Sequence, residues 1–324
     1  MGRHIFWVFL CLPFASCAFA QGLVTLGTEE SLQAAIDAAQ TGSVIILQGR
    51  EWRENLTVTK DLVIVGEGAV VSSREPDRAV IEVEGEATVT LIGLVLEGAH
   101  TSREQCQGFF LPCGAGVSVR DRARVTLIDC ELVDNARGVE AFDRSRVTLI
   151  GCEVRDNHFE GILVNQRAYL EAISSRVGPG NETGVLLRGS ARIFLHDCTF
   201  RDSPGVWLWG EGEAVVRGCH FVGEGKEGRG FWAVYDSRFC LLDTTISGYG
   251  VGIAVGDAAV GTLYGVTVAD CLVGIMEYTY HCGFAFAPGA FYGRLSGEIT
   301  LRDNGQDLCP PEPEAWEGLT IKRH

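Results

Sequence analysis

Residues 116–137, GVSVRDRARVTLIDCELVDNAR, are followed at once by residues 138–160, GVEAFDRSRVTLIGCEVRDNHFE, and the second stretch is a variant of the first. The likeness continues along the chain. Gly followed by an apolar residue recurs at Gly116, Gly138, Gly161, Gly184, Gly205, Gly230, Gly252 and Gly274, in steps of 21 to 25 residues. A second column keeps pace at Cys130, Cys152, Ser175, Cys198, Cys219, Thr244 and Val266. Two places after each of these sits an apolar residue, from Leu132 to Val268, and three places before sits another, from Leu127 to Leu263. Three aligned columns at one period mark a solenoid.

Each unit reads as three short strands with alternating burial: Val117–Val119, Val125–Leu127 and Glu131–Val133, parted by a turn at Asp121–Ala123 and a sharp corner at Asp129–Cys130. Three strands in about 22 residues make one coil, and successive coils stack at roughly 4.8 Å with each strand pairing to its copies. A leucine-rich repeat has a similar length, but its Leu-x-x-Leu-x-Leu signature does not recur. The expected fold is all-β: a right-handed parallel β-helix of about ten coils between Val44 and Leu301. An amphipathic helix from Thr28 to Gln40, with Leu32, Ala35, Ile36 and Ala39 on one face, would lid its N-terminal end. At the other end, Pro310, Pro311 and Pro313 would stop strand pairing.

Around this core the expected organisation is a signal peptide at 1–20, a strand and capping helix at 21–43, the β-helix at 44–309 and a tail at 310–324. Arg3 and His4 precede an apolar run, Ile5 to Phe14, that is too short to span a bilayer, and Ala18-Phe19-Ala20 offers a cleavage site before Gln21. The rival reading is a lipid anchor at Cys17. A secreted or periplasmic protein without a transmembrane segment follows. The net charge of −15 argues against nucleic acid as a partner and mildly against a polyanion, although a local basic strip could override the average.

Ser31-Leu32-Gln33-Ala34-Ala35-Ile36, then Gly49-Arg50-Glu51-Trp52-Arg53-Glu54-Asn55-Leu56, then Leu62-Val63-Ile64-Val65-Gly66 resemble the opening of pectate-lyase-like β-helix proteins. Pectin methylesterases, polysaccharide lyases and periplasmic proteins of nitrous-oxide-reductase maturation share that opening, so the resemblance implies an architecture and not a chemistry. The Gln-Asp-Thr and Asp-Phe-x-x-Gly motifs of the methylesterases are absent, as are the galacturonase motifs and the Asp-Pro-His motif of alginate epimerases.

The resemblance puts an active site on the outward face of the first strand of each coil. Alternation places Ser118, Glu140, Leu163, Leu186, Trp207, Trp232, Ala254 and Met276 there, with Arg120, Phe142, Asn165, Arg188, Trp209 and Val234 beside them. Glu140 is the one carboxylate among them, so a hydrolase, which needs two, is disfavoured. Trp207, Trp209 and Trp232 would instead serve as platforms for sugar rings, with Arg188, Asn165 and Glu140 bonding hydroxyls. The lead expectation is therefore carbohydrate binding on this face without catalysis. A polysaccharide lyase is the alternative, with Arg188 as base and Ca²⁺ near Asp121 and Asp143; otherwise no cofactor is implied. A structural or envelope-interaction solenoid is the third. Two insertions, 97–114 and 223–230, flank the face and could cover it.

Cys106 and Cys113 bracket a loop tip and are the first expected disulfide; Cys282 with Cys309 is a second. Cys130, Cys152, Cys198 and Cys219 are expected to be small buried thiols, at the corner where β-helices often stack asparagines. Stacked side chains ~4.8 Å apart lie beyond disulfide reach. His196 and His220 fall in different columns and suggest no soft-metal site.

Overall fold

The computed structural model describes residues 22–26, 31–48, 51–101, 113–202, 204–277, 294–311 and 316–323. An eleven-stranded sheet runs the length of the molecule, one strand per coil, which makes eleven coils where the sequence suggested ten. In this first sheet Arg137–Ala141 pairs in parallel with Ala115–Val119 on one side and with Glu160–Val164 on the other. The same in-register pairing carries on through Val206–Gly210 and Arg229–Val234 to Val251–Val255. The second and third faces join into one sheet because long strands such as Leu62–Ser72 and Val260–Ala269 run through the corner, bending where the register shifts.

The apolar columns fill the cylinder. Val117, Val139, Ile162, Val185, Phe231 and Ile253 are all fully buried. The glycine before each has a steric cause. A Cβ on Gly138 would lie 2.6 Å from the carbonyl oxygen of Gly161, and one on Gly184 would lie 2.4 Å from that of Gly205. Backbone rests on backbone at this corner, so no side chain fits.

Cys130, Cys152, Cys198 and Cys219 are buried and free. Their column forms a hydrogen-bonded ladder: Cys152 N–H donates to Ser175 Oγ (3.2 Å) and Cys198 N–H to Cys219 Sγ (3.4 Å). The asparagines stack elsewhere. Asn135 N–H donates to Asn157 Oδ1 (3.2 Å), Asn157 N–H to Asn181 Oδ1 (3.0 Å), and Asn181 N–H to Asp202 Oδ1 (3.1 Å). The placing of the thiols at an asparagine corner is thus corrected: one ladder precedes the third strand of the coil and the other follows it.

At the N-terminal end the helix spans Leu32–Ala38 and buries Leu32 and Ile36. Its cap is Ser31, whose Oγ accepts from Ala34 N–H (3.2 Å). Glu54, from the coil below, takes the Leu32 and Gln33 N–H groups at 2.9 and 3.1 Å. At the other end Leu319–Arg323, expected as tail, pairs with residues 297–301 and extends the sheet. No helix among the described residues is long and apolar enough to cross a membrane. The expected signal peptide and Cys17 lie outside the described residues, as do Cys106 and Cys282. Cys113 and Cys309 are each disulfide-bonded.

Candidate functional site

The outward face of the first sheet is much drier than alternation implied. Leu163 and Leu186 are buried with Phe142, and Trp207 and Trp209 pack against them. Glu140 is fully buried; its Oε1 accepts from Arg137 Nη1 at 2.7 Å and from Cys113 N–H at 3.1 Å. Arg137 also holds Glu160, with Nε 2.6 Å from Oε2. Burial pushes the Glu140 carboxyl above the usual range, and Arg137 pulls it only part of the way back. Asn165 is buried too, and its Oδ1 accepts from Gln166 N–H at 2.7 Å. Two of the three polar residues expected to meet a sugar, Glu140 and Asn165, are therefore buried and hydrogen-bonded within the protein. The segment 102–112, offered by the sequence as a cover, lies outside the described residues.

The three tryptophans do converge, but on one another. Trp207 and Trp232 stack with centroids 4.3 Å apart and planes 4° from parallel. Arg229 lies over Trp232 at 4.2 Å, and Leu186 pairs with Trp207 from the preceding coil. Trp209 is likewise layered between the Arg188 guanidinium at 4.9 Å and the Tyr235 ring at 6.0 Å. The indole rings that a sugar would need are stacked on protein groups, and the three residues are half-buried.

Beside this face, where each first-sheet strand turns into the second, lies an open cleft of about 730 Å³ lined by Asp121, Arg122, Asp143, Arg144, Gln166, Arg167, Gly189 and Ser190. A second hollow of about 510 Å³ shares Arg144, Arg167 and Ser190 and adds Arg146, Tyr169 and Arg192. Strand register explains the arrangement: Arg146 pairs with Tyr169 and Tyr169 with Arg192, so these side chains rise in a column, one per coil. Five arginines thus face two carboxylates. Arg122 and Arg192 lean toward Glu86 and Glu213 at 3.4 and 3.1 Å, whereas Arg144 and Arg167 meet no carboxylate at ion-pair distance among the described residues.

Asp121 and Asp143, the weak metal candidates, act here as turn caps. Gly85 N–H donates to Asp121 Oδ2 (2.9 Å), Asp121 N–H to Asp143 Oδ2 (3.0 Å), and Asp143 N–H to Gln166 Oε1. Each side chain caps the turn of the coil before it. Both aspartates adopt left-handed backbone, with φ of 56° and 58°.

The model of the right-handed β-helix region matches residues 80–221 and 183–304. The chain belongs to the right-handed β-helix family. Solved β-helices of similar shape include the periplasmic alginate epimerase AlgG, at 15% identity and a TM-score of 0.63 over 94% of this chain and 83% of that one. The A-module of the Azotobacter vinelandii mannuronan C-5 epimerase AlgE4 is also 15% identical, with a TM-score of 0.58 over 85% and 91% of the two chains. An alginate lyase from Paenibacillus sp. gives 15% identity and 0.55 over 94% and 99%. At this identity the likeness is one of fold. No curated protein sequence matches this β-helix.

The arginine columns went unread in the sequence although the signal is present. Arg122, Arg144 and Arg167 recur at steps of 22 and 23 residues, the period of the coil itself. They sit in turns, where alternation gives no inside or outside.

Proposed function

We propose that this β-helix binds an acidic polysaccharide along the arginine cleft, without turning it over. The stacking of Arg122, Arg144 and Arg167 on successive coils carries the reading: it offers a positive charge every ~4.8 Å along the axis, a rail for a repeating anion. The chain's net charge of −15 makes this strip a local exception, and guanidinium groups suit carboxylates in fork geometry. Alginate-acting enzymes among the β-helices of similar shape support a polyuronate as the class of ligand. Binding is favoured over turnover because, among the described residues, no histidine lines the cleft and its two carboxylates are engaged as turn caps. Arg188, the base a lyase would need on the first sheet, is stacked over Trp209 instead.

A neutral glycan held on Trp207, Trp209 and Trp232 is disfavoured by the layered indoles. The test is retention on immobilised alginate, polygalacturonate and dextran at rising salt. Salt-sensitive retention on the two acidic polymers, lost in Arg144→Ala/Arg167→Ala, supports the proposal. Retention on dextran that the double variant keeps would contradict it.

A further inference from the structure

On the opposite edge of the first sheet, the register of the third strands aligns Glu97 with Val133 and Val133 with Arg155. Three residues further on, the same register stacks His100, Ala136 and His158 on three successive coils. Backbone bonds from Ala136 N–H to Ala99 O and from His158 N–H to Asn135 O hold that alignment. Ala136 is buried and carries only a methyl group, so the imidazoles of the outer two coils meet across it. His100 Nδ1 lies 3.1 Å from His158 Nε2, with the rings edge to face. Asp134, on the middle coil, brings its carboxylate to both: Oδ1 is 3.4 Å from His158 Nε2 and Oδ2 is 3.3 Å from His100 Nε2.

We propose that His100, Asp134 and His158 form a binding site for a divalent transition metal of the zinc class. Zinc bound at about 2.0–2.1 Å in a tetrahedron sets its ligand atoms roughly 3.3–3.4 Å apart. The separations of 3.1 and 3.4 Å around His158 Nε2 match two edges of such a tetrahedron, and one ligand atom from each of the three residues lies within 4.8 Å of the others. Two imidazoles and one carboxylate also match the ligand preference of zinc and its neighbours; calcium and magnesium want oxygen alone. Without an ion the two facing nitrogens need a shared proton between them, and a metal replaces that proton. The side chains are 42%, 59% and 54% exposed, which leaves the remaining coordination positions to water or to a ligand. Asp134 directly follows the strand Glu131–Val133, His158 lies three residues past the strand Glu153–Arg155, and His100 lies three residues past the strand Thr88–Glu97, at the start of the 97–114 insertion. This site stands apart from the arginine cleft and does not rest on its function.

The test is titration of the full chain with Zn²⁺ and with Co²⁺, followed by calorimetry and by the visible absorption of bound cobalt. One ion should bind per chain, with cobalt bands of a low-coordinate nitrogen–oxygen site. Losing even an outer-shell partner of a metal commonly costs about 10–100-fold in affinity, so His158→Ala and Asp134→Asn should each lose at least that. These positions are exposed, and unchanged melting temperatures in the absence of metal would show that both variants fold. Zinc held equally well by the variants would assign it elsewhere, such as the half-exposed thiol of Cys240, and would overturn the proposal. So would the absence of saturable binding, or a preference for Ca²⁺.

Discussion

Trp207 lies flat on Trp232 because strand pairing sets the two side by side on successive coils, and their ring centroids are 4.3 Å apart. The pair is part of the packing of the first sheet's outward face. Truncating either ring should therefore cost stability. Trp207→Ala is expected to lose about 2–3 kcal/mol, below the ~3–5 kcal/mol of a fully buried aromatic because Trp207 is only half-buried. A double-mutant cycle with Trp232→Ala should return a coupling of about 0.5–1.5 kcal/mol, the usual worth of an aromatic pair. Denaturant midpoints that barely move would show the rings to be free surface groups.

Arg137 bonds both buried Glu140 and largely buried Glu160. Removing it takes away the one hydrogen-bonded counter-charge that the two carboxylates share among the described residues. Arg137→Ala should destabilise by about 3–5 kcal/mol at neutral pH, and acid should relieve part of the loss by protonating Glu140. Urea unfolding at neutral and mildly acidic pH measures both effects; a loss independent of pH would indicate packing alone.

Asp202 ends the asparagine ladder, and burial pushes its carboxyl up to about 6 against the pull of Asn181. The folded chain thus holds this proton more tightly than the unfolded one. The contribution to stability is fully present below about pH 4, the unfolded value, and is lost as pH rises through about 6. Asp202→Asn removes that loss and can continue the ladder through its own Oδ1. The variant should be more stable than the wild type by about 1–3 kcal/mol at pH 7 and should lose that advantage near pH 4. A destabilised Asp202→Asn at pH 7 would mean that the carboxylate is needed as such.

The corner thiols are protected by their surroundings. The neighbouring Cys130 thiol and burial push the Cys152 thiol upward, which leaves it protonated and inert at neutral pH. Ser175 already fills the same column, so Cys152→Ser should change stability by less than about 1 kcal/mol, while Cys152→Asp should be strongly destabilising. Labelling of Cys130, Cys152, Cys198 and Cys219 should be slow in the folded chain and complete on unfolding, whereas half-exposed Cys240 should react sooner. Rapid labelling of those four in the folded chain would contradict the ladder.

The coil was legible because Gly138, Cys152 and Val154 each recur at one period, and that period is set by backbone contact and core packing. What lay on top of the outward face was not. Alternation says that Glu140 and Asn165 point away from the core; it is silent on what else packs there, and both are buried. The asparagine ladder was visible as Asn135, Asn157 and Asn181 at steps of 22 and 24 residues, but the cysteine column beside it took the role. His100 and Ala136 are 36 residues apart although one coil separates them, because the insertion at 97–114 lengthens that coil and hides the shared column. Sequence periods find what every coil repeats. They miss what an insertion shifts out of phase and what a turn presents sideways.

The most direct measurement is the affinity of wild-type and Arg144→Ala/Arg167→Ala chains for an alginate oligosaccharide, by calorimetry at low and high salt. Both arginines are exposed, so the double variant should keep the wild-type melting temperature. A hydrogen bond to a charged group is worth about 1.5–3 kcal/mol, and about 1.4 kcal/mol is tenfold. The variant should therefore bind at least about tenfold more weakly, and wild-type binding should weaken steeply with salt. Equal affinity of the two chains, or wild-type binding indifferent to salt, would contradict the arginine cleft as the binding site.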